Sequence, residues 1–362
     1  MRRKSRREFI HCVLSTTALG PSAAAFVHAA ARTAAAAPGV EPPFFQTRGV
    51  VLVPDDLTLS DWPQRAKKAG LTTVGLHHGV SPRLVVQFIQ SERGQKFLEQ
   101  CKMLGLQVEY ELHAMRELLP RELFAKNPGF FRMNEKGERT PDANLCVHSR
   151  DALAIAAENA LALAKVLCPT TNRFFFWGDD GQPWCRCPKC RDWPESDQAL
   201  ALENHLLAAL RSTNPNAQLA HLAYSNTLPP PRQTKPQAGI FLEYAPIYRR
   251  YDAPYASQTD PASPDRLAML DANLAVFDRK TAQVLEYWLD VSRFSRWKKP
   301  AVKLPWNQSV LEADLDAYGA RGLRHVTSFA VFIDAEYVAR HGEPSEVLSY
   351  GKALGDWQPR RS

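Results

Sequence analysis

The segment Trp177-Gly178-Asp179-Asp180-Gly181-Gln182-Pro183-Trp184 sets two adjacent carboxylates between two tryptophans, directly after the aromatic run Phe174-Phe175-Phe176. Carboxylates supply protons or nucleophiles, and flat apolar rings offer a surface on which a pyranose face can stack. Adjacent side chains at a strand end point in different directions, so one aspartate is expected to face a cleft while the other holds the loop. Asp180 is the expected general acid or base, its pKa raised by burial against Trp177 and Trp184, and Asp179 is expected near the substrate. The plainer reading of the pair is an Asx turn in which Gly181 supplies the bend.

Cleaving a glycosidic bond takes a second carboxylate across from the first. Glu286 and Glu243 are the leading candidates because each is a charged residue inside an otherwise apolar stretch, with Glu111 and Asp290 in reserve. The competing reading of each is a buried acid paired with a cation, for which Arg249, Arg250 and Lys303 are available. In Val108-Glu109-Tyr110-Glu111-Leu112-His113 strand alternation sends the two acids and His113 to one face, and the same count groups Glu286, Trp288 and Asp290. His77, His113, Tyr224 and Trp288 complete the expected substrate contacts. His77, His113 and Asp179 also form the ligand set of an alternative, metal-dependent hydrolase, although no HxxxH-type spacing accompanies them.

Cys185-x-Cys187-x-x-Cys190 has the close spacing of metal ligands. Cys146 is the expected fourth member, completing either a structural zinc site or a disulfide to one of the three. Three thiolates suit a closed structural site better than an open hydrolytic one, so no cofactor is expected for catalysis.

These residues must be positioned by regular elements. Strand-like stretches fall at residues 49–53, 72–77, 108–113, 173–177, 218–224, 239–244, 282–289 and 325–331. Helical patterns fall at 62–69, 82–104, 150–167, 196–212, 264–278 and 310–321. Eight strands alternating with helices predict an α/β fold of the TIM-type (β/α)8 barrel class, over residues 49–354, as a single domain. An open doubly wound sheet is the competitor, but no phosphate-cradling glycine fingerprint follows the first strand. A barrel gathers its chemistry at the C-terminal strand ends, which is where the acids and histidines above occur.

The N-terminal residues read as an address. Arg6-Arg7 with Phe9, the apolar run at 13–27 and an alanine-rich exit at 29–37 form a twin-arginine export pattern, followed by a linker at 38–48; residues 355–362 form a C-terminal tail. Residues 1–37 hold six Lys/Arg and one acid, so without them the formal net charge falls from +7 to +2. No basic stripe remains for nucleic acid, and no later stretch is long and apolar enough to span a membrane. A periplasmic or secreted protein follows.

Phe176-Trp177-Gly178-Asp179-Asp180-Gly181 with Cys185-x-Cys187-x-x-Cys190, Glu109-Tyr110-Glu111-Leu112-His113, Phe241-Leu242-Glu243-Tyr244-Ala245-Pro246 and Val284-Leu285-Glu286-Tyr287-Trp288-Leu289-Asp290 together resemble an exported bacterial family known as domain of unknown function 4838, from about Gly49 to Leu354. The resemblance implies a relative of barrel glycosidases, with alpha-glucuronidases among the nearest in style. Those enzymes carry their acid in Glu-Gly-Gln-Pro, where this chain has Asp180-Gly181-Gln182-Pro183. A uronate substrate would call for a fixed cation such as Arg249 or Lys303. The expected activity is glycoside hydrolysis of an oligosaccharide or polysaccharide, with a non-catalytic carbohydrate-binding barrel as the alternative.

Overall fold

A computed structural model describes residues 42–79, 81–261, 263 and 266–359. The expected export signal, residues 1–37, lies outside the described residues, as do the start of the helix expected at 264–278 and the last three residues of the tail.

From Pro43 onward the chain is one unit. Its elements run β1 (Thr47–Leu52), α1 (Trp62–Lys68), β2 (Thr73–His77), α2 (Pro82–Gln90), α3 (Glu92–Leu104), β3 (Gln107–His113), α4 (Met115–Leu118), α5 (Arg150–Val166), β4 (Arg173–Trp177), α6 (Glu195–Arg211), β5 (Gln218–Ala223), β6 (Ile240–Tyr244), α7 (Leu267–Leu274), β7 (Gln283–Glu286), α8 (Val291–Phe294), α9 (Gln308–Gly319), β8 (His325–Phe329), α10 (Ala335–His341) and α11 (Ser345–Asp356). The strands pair in parallel in chain order and β8 returns to β1, closing an eight-stranded barrel. A parallel sheet is buried on both faces, which is why nearly every strand residue is buried, the polar ones included, and why helices surround the strands.

Most strands begin and end within two residues of the expected positions. β7 is the exception: it stops at Glu286, and Tyr287–Asp290 form a turn. The helix expected at 82–104 is two helices, because Ser91 leaves the helical region and its hydroxyl accepts from Gly94 N to start α3. Gly70, Gly105 and Gly322 follow α1, α3 and α9 with φ of +75°, +66° and +78°, the left-handed region in which a side chain is strained.

Packing also extends past both expected domain ends. Phe45 is fully buried, Phe44 and Phe45 lie against Trp357 at centroid distances of 4.6 and 5.2 Å, and Trp357 Nε1 donates to Asp316 at 2.8 Å. α11 is fastened to the first strand by Tyr350, whose hydroxyl donates to the carbonyl of Gly49 at 2.8 Å. Among the described residues no helix is long and apolar enough to cross a membrane.

Candidate active site

Alternate residues of each strand enter the barrel. Glu109 and Glu111 of β3, Arg173 and Phe175 of β4, Phe241 and Glu243 of β6 and Gln283 of β7 form a polar and aromatic interior. The Arg173 guanidinium lies 3.8 Å from the Phe241 ring centroid and 3.8 Å from Glu109, and donates to Gln283 at 3.1 Å. Glu111 fits because its side chain lies over Gly75 of β2: a Cβ there would sit 2.8 Å from Glu111 Oε1.

Three carboxyls against one guanidinium cannot all ionise out of water. Burial raises Glu109 and pushes Glu243 up to about 8, while burial and the neighbouring Glu243 and Glu109 hold Glu111 well above the usual carboxylate range. Among the described residues no hydrogen bond reaches either Glu111 oxygen, and the nearby Glu243 carboxyl adds like charge that further favours the protonated form of Glu111. Glu243 further accepts from Trp177 Nε1 at 3.0 Å and Gln283 Nε2 at 3.1 Å. Glu111 and Glu243 are fully buried, so these two sequence candidates support the site from below and do not line it.

Above Trp177 the barrel opens into a pocket of about 250 Å³ at the C-terminal strand ends. Its wall is aromatic: His77, His113, Trp177, Tyr224, Tyr287 and Phe329, with the exposed Trp297 at the edge. His77 Nδ1 donates to the Glu111 carbonyl and His113 Nδ1 to the Gly178 carbonyl, each at 2.7 Å, since a carbonyl can only accept. That leaves Nε2 as the second polar atom of each ring. Burial, with His113 alongside, lowers His77 to about 3 and keeps it neutral.

Two carboxylates reach the pocket. Asp180, just past β4, is half exposed and lies 3.7 Å from His113 Nε2. Asp290, after β7, is nearly buried; one oxygen accepts from Ser292 Oγ and from Arg293 N, capping α8. Burial raises Asp290 to about 6.

Several expected placements need correction. Asp179 turns away from the pocket into its own loop, accepting from Arg121 and from Asn144 N. Asn144 returns the contact through Oδ1 to Asp179 N and donates Nδ2 to the carbonyls of Gln182 and Pro183. Trp184 is buried beneath this loop, where a Cβ on Gly178 would meet its ring at 2.8 Å, so it neither stacks in the pocket nor buries Asp180. Glu286 and Trp288 face outward. Glu286 accepts from Arg249 at 2.8 Å, Tyr251 at 3.1 Å and Tyr318; Arg249 also bonds Asp314, to which Trp288 Nε1 donates at 3.0 Å. The competing reading therefore describes Glu286, and Arg249 is the cation. Lys303 is exposed and not among the residues lining the pocket.

The sequence reasoning missed Tyr287, Phe329 and Trp297. The signal for Tyr287 was pairing: Gln283 stands opposite Glu243 and bonds it, which puts 283, 285 and 287 on the inner face. Among the described residues, the one group of three or more metal-ligating side chains with converging donor atoms is Cys146, Cys185, Cys187 and Cys190. His77, His113 and Asp179 do not form such a group.

The family model described as Domain of unknown function (DUF4838) matches residues 44–297. No curated protein matches the chain significantly. Among solved structures, the fold is similar to Gan42B, a GH42 beta-galactosidase of G. stearothermophilus, with a TM-score of 0.54 and 13% identity over 86% of this chain and 57% of that one. It is also similar to a cold-adapted beta-galactosidase from Rahnella sp. R3, with a TM-score of 0.51 and 13% identity over 86% and 57% of the two chains. The chain spans little more than half the length of these neighbours, and at this identity the likeness is one of fold.

Proposed function

We propose, from the premise that this chain belongs to the DUF4838 family, that it is a glycoside hydrolase working with Asp290 and Asp180. The observation that carries this reading is the meeting of two carboxylates in unlike surroundings on one aromatic-walled pocket at the barrel mouth. Asp290, buried and raised to about 6, is suited to give its proton to the glycosidic oxygen. Asp180, half in solvent, is suited to act at the anomeric carbon, as nucleophile or as base to a water. His77 and His113 present Nε2 to sugar hydroxyls, and the Trp177, Tyr224 and Tyr287 rings give the sugar an apolar wall. Chemistry of this kind needs no cofactor.

The pocket lies just below the common range for ligand sites, roughly 300–1,000 Å³, and suits a single sugar ring at the chain end of an oligosaccharide or polysaccharide. Among the described residues no Lys or Arg lines the pocket, and Arg249 is spent on Glu286 and Asp314, which favours a neutral sugar over a uronate. Export by the twin-arginine route to the periplasm or beyond belongs to the same reading, supported by Arg6-Arg7, the apolar run and the alanine-rich exit.

The test is a panel of aryl glycosides and oligosaccharides, neutral and uronic, given to the purified mature protein with Asp180→Asn and Asp290→Asn alongside. Product from the wild type and none from either variant is the expected result. Sugar binding without product from any of the three would replace the hydrolase with a carbohydrate-binding barrel.

A further inference from the structure

Four cysteine sulfurs, from Cys146, Cys185, Cys187 and Cys190, lie within 4.8 Å of one another beside the loop that carries Asp180. Cys146 Sγ is 3.8 Å from Cys187 Sγ and 3.9 Å from Cys190 Sγ. Zinc binds thiolate at about 2.3 Å, so the sulfurs of a tetrahedral centre are separated by about 3.8 Å, whereas a disulfide needs about 2.05 Å. We propose that these four thiolates hold one zinc ion as a closed structural centre, a claim independent of the proposed hydrolysis.

Topology supports metal over disulfides. Three of the four cysteines lie within the six residues 185–190, so every way of pairing all four puts one bridge inside that loop. Pairing only two would bury two idle thiols. A single ion uses all four sulfurs equally.

The surroundings are those of ligated thiolates. Cys185 Sγ accepts from the backbone N–H groups of Met133 at 3.4 Å and Cys187 at 3.5 Å, and from the Arg139 guanidinium at 3.6 Å. His148 Nδ1 lies 3.2 Å from Cys190 Sγ. Four thiolates around a divalent cation leave a net double negative charge, which these donors offset. All four cysteines are buried, leaving no open coordination position for water or substrate, so the centre holds structure and does no chemistry. What it holds is specific: Cys146 is two residues from Asn144, which bonds Asp179, Gln182 and Pro183, and Cys185 follows Trp184.

The experiment is metal analysis of the purified mature protein, joined to thiol counting in denaturant before and after a chelator, and to the visible spectrum after cobalt exchange. One zinc per chain, four thiols that become reactive only once the metal is removed, and the strong visible bands of tetrahedral cobalt thiolate are expected. Cys187→Ser and Cys190→Ser should lower the zinc content, while Cys101→Ser and Cys168→Ser, outside the cluster, should leave it at one. A metal-free chain whose mass shows bridged cysteines would overturn the proposal, as would iron in place of zinc or zinc retained in full by the two cluster variants. If those variants do not fold, the wild-type stoichiometry, thiol count and cobalt spectrum decide alone.

Discussion

Asp180 and Asp290 share a pocket but not an environment, and the proposed hydrolysis rests its division of roles on that difference. Asp290 must be protonated to act as an acid, so activity should fall as pH rises through about 6. Asp290→Asn keeps an oxygen for Ser292 and Arg293 N but has no proton to give, and should lower kcat by about 10²–10⁴. A pH profile of kcat/KM checks this; an alkaline limb that survives in the variant, or a wild-type rate flat through pH 6, would remove the assignment. A second residue-scale prediction concerns the pocket floor. Trp177→Phe leaves Glu243 without one of its donors, and should cost about 1–3 kcal/mol in urea unfolding with the barrel otherwise intact. That Asp179 and Asp180 diverge was readable in the sequence, because neighbouring side chains at a strand end must. The same reading kept Asp179 near the substrate, but the structure turns it into the loop toward Arg121 and Asn144. The fate of Trp184 was not readable, since a tryptophan beside an acid looks the same whether it lines a pocket or lies under a loop.

At the scale of elements, the eight strands were legible because each is a short apolar run bounded by turn and helix signals. The facing of β7 was not. A strand buried on both sides has no polar-apolar alternation to count, and Val284-Leu285-Glu286-Tyr287-Trp288 reads equally well in either phase. Pairing with β6 decides it, turning Gln283 and Leu285 inward and Glu286 toward α9. Asp290 reaches the pocket all the same because the strand ends at Glu286 and the alternation ends with it. The consequence is measurable. Glu286→Ala leaves Arg249 with Asp314 alone and Tyr318 without its acceptor in a fully buried network, and should destabilise the fold by about 3–5 kcal/mol. Glu286→Gln, which keeps acceptors for Arg249 and Tyr318, should hold turnover per folded molecule within about tenfold of wild type, far short of the loss of a catalytic carboxylate. A loss of 10²-fold or more from folded Glu286→Gln would return Glu286 to the chemistry. α10 and α11 went unread, although Asp334 caps α10 through Tyr337 N, because α10 is only about two turns long and α11 carries Gly351 and Gly355, poor helix formers.

For the whole molecule, the buried acids and histidines set how stability varies with pH. Glu243 and Asp56 are both raised to about 8 by burial, against ordinary values of 4.5 and 3.8. Between those limits the unfolded chain releases protons that the folded chain keeps, so stability falls as pH rises, by up to about 1.4 kcal/mol per pH unit for each group. His77 and His325 work in the opposite sense: burial lowers them to about 3 and about 4 from 6.5, and stability is lost as pH falls below 6.5. Above pH 6.5 the histidines no longer contribute, and the acids alone should give a decline that continues to about pH 8. Glu243→Gln keeps an oxygen to accept from Trp177 but cannot ionise. Urea unfolding at intervals from pH 6.5 to 8.5 should therefore show a clear fall for the wild type and a shallower one for the variant. Equal slopes would mean that Glu243 already carries its charge inside the barrel, with Arg173 as its partner.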